Sequence, residues 1–245
     1  MASRPQPEQQ APPVQRLRVR YAKRGRARFT SHRDFGRAFE RALRRAGVPM
    51  AYSSGFTPHP RISYANASPT GAASEAEYLE IGLSAACDPA RVRDALDAAL
   101  PPGLDVVEVV PATPGALADL LTGSVWALDL PGVPDPVLAA AVARFLGEDE
   151  VQVERMTKNG VRHFDARAAV VALVPATGEE PVPAPAEGSR RLVVTLEHTV
   201  PAVRPDDVLA ALVALAPEAT PADPPVLTRL TQGVLDRGTG LVTEP

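Results

Sequence analysis

Two halves of this chain carry the same order of hydrophobic periodicities, and that order limits the fold more than any other feature of the sequence. Leu17, Val19 and Tyr21 alternate with Arg16, Arg18 and Arg20, the two-residue period of a half-buried strand. Ser31 and Asp34 then form an S-x-x-D capping pattern ahead of an apolar stripe of Phe35, Ala38, Phe39, Ala42, Leu43 and Ala46. This predicts a helix over Arg33–Ala46, stopped by Gly47 and Pro49. Strand candidates follow at Arg61–Ala67 and Glu77–Leu83. A helix over Arg91–Leu100 is capped by Asp88, and Val106–Val110 reads as the last strand of the half. The order is β-α-β-β-α-β.

The second half reads the same way. Ser124–Leu130 is a strand and Pro136–Leu146 a helix. Val151–Met156 and Phe164–Val174 are strands around a Lys158-Asn159-Gly160 turn. Arg191–Glu197 is a strand, Pro205–Ala216 a helix and Val226–Leu235 a strand. The expected class is α+β, with two tandem ferredoxin-like units of antiparallel sheet. The expected boundaries are a disordered Pro-rich tail at 1–14, a basic unit at 15–112 and a second unit at 121–237. A Pro/Gly/Glu-rich insertion falls at 177–189.

Charge separates the halves. Between Val14 and Tyr64 stand thirteen Arg and Lys residues against Asp34 and Glu40 alone, a formal +11 in a chain whose net charge is −3. Eight of the eleven aromatics lie between Tyr21 and Tyr78. Basic and aromatic residues gathered on one part of an acidic protein point to a polyanion, above all nucleic acid. A solvated basic face is the plainer reading of such a cluster. Arg37, Arg41, Arg44 and Arg45 should lie on the outer side of the first helix. Arg16, Arg18 and Arg20 would extend that patch if the strand's basic face is open.

Three motifs could carry chemistry. Thr30-Ser31-His32-Arg33-Asp34 sits at a helix start, where free N–H groups favour an anion. In Tyr52–Arg61, prolines flank His59, and Phe56, His59 and Arg61 could stack on or neutralise a nucleotide. In Gly71–Tyr78, Glu75 and Glu77 share a strand face and are expected to pair with arginines. The sharpest expectation is that His32, His59 and Arg61 converge on one concave site, with Phe56 and Glu77 at its wall.

Several classes are excluded or lack support. With Cys87 alone, the chain has neither a disulfide framework nor a Cys-held metal or iron–sulfur centre. It contains no P-loop, dinucleotide fingerprint or nucleophile elbow. No metal or cofactor is expected. No apolar run reaches transmembrane length and the N-terminus has no apolar core like that of a signal peptide. The expected location is the cytoplasm, with no membrane partner.

The three motifs together resemble the uncharacterised radical-SAM-linked family, DUF2344. The resemblance rests on Ser31, His32 and Asp34, on Tyr52, Ser53, Gly55, Phe56, Pro58, His59 and Pro60, and on Gly71, Ser74, Glu77 and Tyr78. It extends over Arg16–Pro111; beyond that only Lys158-Asn159-Gly160 and Asp165-Ala166-Arg167 are suggestive. Arg33 stands where the pattern has an apolar residue and adds a charge. The resemblance implies a radical SAM protein as partner, and no activity. The functional expectation is an accessory protein that binds RNA, tRNA or rRNA, through Arg16, Arg18, Arg20, Arg33, Arg37, Arg41, Arg44, Arg45, Phe56, His59 and Arg61. The alternatives are a metal-free RNA-processing enzyme with His32 and His59 as acid and base, and a protein-docking subunit of the radical SAM partner.

Overall fold

The computed structural model describes residues 9–157 and 160–245. Most of the expected N-terminal tail, and the Lys158-Asn159 part of the expected turn, lie outside these residues. The chain is α+β, with four α-helices among the described residues and mostly antiparallel strand pairing. Its described residues form two compact units, one within 1–71 and 75–119, the other within 72–74 and 120–245.

In the first unit, β1 (Gln15–Lys23) leads through a short 3-10 turn, Gly25–Phe29, to α1 (His32–Arg45). Strands β2 (Ile62–Ala65) and β3 (Ala73–Leu83), helix α2 (Pro89–Ala99) and β4 (Leu104–Pro111) follow. The strand order is β4-β1-β3-β2. β1 and β4 run antiparallel from Leu17 opposite Pro111 to Lys23 opposite Leu104, with a bulge at Arg20/Tyr21. Helix α1 forms for the reasons its sequence offers. The Ser31 Oγ accepts from the Asp34 N–H at 3.2 Å and donates to the Asp34 carboxylate at 2.7 Å. At the other end Gly47 adopts a positive φ, and the Val48 N–H closes back on the Leu43 carbonyl. The helix buries Phe35, Ala38, Phe39, Ala42 and Leu43, and the Tyr21 ring stacks flat on Phe35 at 4.2 Å. Val92 and Leu96 of α2 complete this core with Leu79, Ile81 and Leu83 of β3.

In the second unit, β5 (Gly123–Pro131), α3 (Asp135–Gly147), β6 (Gln152–Thr157), β7 (Gly160–Asp165) and β8 (Val170–Pro175) precede β9 (Ser189–Glu197), α4 (Pro205–Leu215), β10 (Val226–Leu235) and β11 (Val242–Thr243). The order β10-β5-β9-β8 is antiparallel throughout. Ala73 and Ser74 add a short parallel pairing with Thr228 and Arg229. The expected single strand over Phe164–Val174 is instead two. Among the described residues β7 pairs with β6 as a separate two-stranded ribbon, and β8 pairs with β9. The break has a local cause: the Asp165 carboxylate accepts from the N–H groups of Val151, Arg167 and Ala168, which turns the chain where a strand would continue. The ribbon is fixed by Val153 and Phe164 in the core and by Arg155, which lies over the Phe164 ring and bonds to Asp207 of α4.

His198 sits in a directed hydrogen-bond chain in this unit. A carbonyl can only accept, so the Nδ1–H donates to the Leu121 oxygen at 2.6 Å. The Ser124 hydroxyl then donates to Nε2 at 2.9 Å while accepting from the Trp126 indole N–H. The neutral imidazole satisfies every member of this chain. Burial, helped by the nearby Arg229 charge, holds the imidazole below the ordinary histidine range. The unfolded chain therefore binds a proton that the folded one resists, so stability should fall as pH drops below about 6.5. Thermal melts between pH 8 and pH 5 should show this slope, and His198→Gln should flatten it.

Candidate polyanion-binding face

The apolar stripe of α1 fixes what its other side presents. With Phe35, Phe39, Ala42 and Leu43 turned inward, Arg33, Arg37, Arg41, Arg44 and Arg45 are all exposed or half-exposed. Asp34 reaches Arg37, and Glu40 reaches Arg44, only at 3.9 Å and in the open. Such pairs contribute little and are screened by salt. Arg33, Arg41 and Arg45 have no acidic partner among the described residues.

The β1 arginines are arranged differently, and the expected open row is not there. Arg18 is buried at 2 % exposure. Its guanidinium donates to Glu80 Oε1 through Nη2 at 3.0 Å and Nε at 3.3 Å, and to Thr113 Oγ1 at 2.9 Å. Arg16 bonds to the other oxygen of the same carboxylate at 2.5 Å, with half of its side chain still exposed. Arg20 is half-buried and donates to the Glu75 carbonyl at 3.0 Å. Arg24 pairs with Glu75 and Asp105, which holds its guanidinium above the usual arginine range. The cause lies in β3, the neighbour of β1, whose Glu75 and Glu80 meet these side chains. Glu77 is 1 % exposed and accepts from the Ser68 N–H, and Ser68 in turn accepts from the buried Lys23 ammonium. It is interior, not a wall of any groove.

The Tyr52–Arg61 loop is tied at its base. Tyr52 bridges Pro60, the Ser53 N–H donates to the His59 carbonyl, and the His59 N–H donates to Ser53 Oγ. Ala51 and Arg61 then bond to Gly82 of β3. A Cβ at Gly82 would stand 2.9 Å from Pro13 and 3.3 Å from the Arg61 Cβ, so glycine permits this close approach. The result is a groove of about 460 Å³ lined by Pro13, Arg16, Ser53, Arg61, Ser63 and Glu80. Arg16 and Arg61 thus meet at one place. Phe56 is 71 % exposed, and His59 is exposed too.

His32 is exposed and packs edge-on against Tyr64 of β2 at 4.9 Å, and Tyr64 in turn meets Phe35. Burial, with the Glu40 charge, pushes the Tyr64 phenol up to about 12. No hydrogen bond, ion pair or ring contact joins His32 to His59 among the described residues. Of the residues of the expected site, His32 packs on Tyr64 at the helix start, His59 and Arg61 belong to the tied loop, and Glu77 is interior.

Sequence reasoning missed Glu80, Tyr64 and Gly82. Glu80 had a signal: a lone acid inside the apolar run Tyr78–Leu83 needs a buried partner. Tyr64 and Gly82 had none, because their roles depend on contacts distant in sequence.

The second unit has a larger hollow of about 550 Å³ beneath the 177–189 insertion, lined in part by Asp135, Thr177, Glu180, Arg190 and Arg191. Its arginines are paired with Asp135 and Asp129. Among the described residues no three His, Cys, Asp or Glu side chains cluster as a metal site would require. No helix among them is long and apolar enough to cross a membrane.

A family model described as an uncharacterized protein conserved in bacteria (DUF2344) matches residues 16–205. No curated protein matches the chain at a significant level.

Proposed function

The chain belongs to the DUF2344 family, and from the basic face of its first unit we propose that it is an RNA-binding accessory protein. The observation that carries this reading is the outward side of α1, where five solvent-accessible arginines face two acids at the limit of ion-pair distance. Guanidiniums held on a rigid helix without close carboxylates suit a phosphate backbone, which gains from each neutralised phosphate. Arg61 and the half-exposed Arg16, on the groove beside the Tyr52–Arg61 loop, supply further cations. Arg18, Arg20 and Arg24 contribute to folding in this reading, because their partners are already in place.

Each unit is proposed to be ferredoxin-like, with the β6–β7 ribbon as an addition to the second. The orders β4-β1-β3-β2 and β10-β5-β9-β8 support this. The RNA is proposed to be tRNA or rRNA, the location the cytoplasm, and the partner a radical SAM protein. The partner rests on the resemblance of the motifs alone. The metal-free cleavage alternative needs two imidazoles at one phosphodiester, and nothing about His32 and His59 favours it over binding.

The test is what accompanies the protein through purification at low salt. The expected result is an absorbance spectrum dominated by nucleic acid, reverting to that of protein after RNase but not DNase treatment. A protein that carries no RNA and binds none when tRNA or rRNA is added back would overturn the proposal.

A further inference from the structure

Phe29 ends the 3-10 turn between β1 and α1, and it is 58 % exposed. Within the same unit Tyr21, Phe35, Phe39 and Tyr78 are all buried at 4 % or below. An aromatic ring left in water needs a reason, and here it is held there firmly. The Ala27 N–H donates to the Arg24 carbonyl and the Thr30 N–H to the Ala27 carbonyl, closing the turn. The Arg24 N–H is fixed on the Gly103 carbonyl, and the Gly71 N–H on the Arg28 carbonyl, so both arms are pinned to other parts of the unit. Gly71 has φ +98°, and a Cβ there would touch the Phe29 ring edge at 4.0 Å.

The ring also has a partner of a particular kind. The Arg28 guanidinium lies 4.7 Å from its centroid. The Arg28 Nε is buried and has no hydrogen-bond partner among the described residues. Stacking on the ring, not hydrogen bonding at Nε, accounts for the placement of that group. From Gly25 to Arg33 the chain holds Arg26, Arg28 and Arg33 and no acid. The segment then runs directly into the exposed arginines of α1.

We propose that Phe29 is a stacking platform for an unpaired base of single-stranded RNA, with Arg28 stiffening the ring and Arg26 and Arg33 meeting the flanking phosphates. The proposal rests on the RNA reading above and narrows it. An exposed flat ring bordered by guanidiniums fits a base whose face is free. A duplex keeps its bases stacked inside and offers such a ring nothing. A phosphate-only contact would need the arginines and not the ring.

The test compares wild type with Phe29→Ala, Phe29→Leu and Phe29→Tyr. The probes are a labelled ten-nucleotide oligouridylate, the same strand with one 2-aminopurine, and an RNA duplex, all read by fluorescence. Phe29→Ala should weaken single-strand binding by between about fivefold and a hundredfold, the range seen when one stacking aromatic is removed. Duplex binding and the salt slope should stay unchanged, because no charge is lost. Phe29→Tyr should bind like wild type. Phe29→Leu keeps an apolar side chain without the π-face and should behave like Phe29→Ala, which guards against a folding defect in the alanine variant. The 2-aminopurine emission should be quenched by wild type and not by Phe29→Leu. Wild type that binds the single strand, with Phe29→Leu equal to it, overturns the platform alone. Equal losses on single strand and duplex overturn it as well. Wild type that binds neither probe overturns both the platform and the RNA reading.

Discussion

Glu80→Ala is expected to destabilise the first unit by about 3–5 kcal/mol. The carboxylate is 2 % exposed and divides its oxygens between Arg16 and Arg18. Arg16 can turn outward into water if its partner is lost. Arg18 cannot, because its side chain is 3 % exposed and its remaining bond is to Thr113. The substitution therefore leaves a charge in the interior with one neutral acceptor, and that uncompensated charge is the source of the cost. Adding Arg18→Met to Glu80→Ala removes the stranded charge and should restore a large part of the loss. Urea unfolding followed by far-UV circular dichroism would read this. Tryptophan fluorescence would not, since Trp126 lies in the second unit. A Glu80→Ala protein within about 1 kcal/mol of wild type would show that Arg18 finds water or another acceptor, against the burial described.

The second large effect is on binding. Arg41→Ala with Arg44→Ala should lower the slope of log affinity against log salt by roughly one unit per contact, two in all. Both side chains are exposed; Arg41 has no acidic partner among the described residues, and Arg44 has only the 3.9 Å approach of Glu40. Folding stability should therefore change by no more than about 0.5 kcal/mol. Arg18→Ala should give the reverse pattern, with lost stability and little change in salt slope. An unchanged slope in the Arg41/Arg44 variant, with the fold intact, would remove α1 from the binding face.

How much of this could be read from the sequence follows from how local each determinant is. Helix α1 was legible to within a residue, because its cap, stripe and stop all lie within seventeen positions of one another. The strand character of β1 was equally plain. The fate of its arginines was not: whether a polar face meets water or a neighbouring strand depends on pairing, and the pairing that matters is with β3, about sixty residues on. The same limit explains the imidazoles. The helix start at His32 and the Pro-flanked loop at His59 are local features, but the ring that His32 packs on, Tyr64, is reached only after the chain returns along β2. The split of Phe164–Val174 into two strands depended on one carboxylate taking three backbone N–H groups. An acid between Phe164 and Ala166 allows that turn without announcing it.

The burial of Lys23 has a bearing on regulation. It is the one lysine of the first unit, and it is 4 % exposed, against Ser68. Every exposed Lys or Arg side chain on that unit's basic face is therefore a guanidinium and not an amine. Acylation, the common means of erasing positive charge from a nucleic-acid-binding surface, acts on amines and has no target there. Acylation therefore leaves the charge of these arginines in place, and under the RNA reading proposed above a weaker grip would come from competition, from salt, from phosphate added to a neighbouring hydroxyl or from a change in the partner.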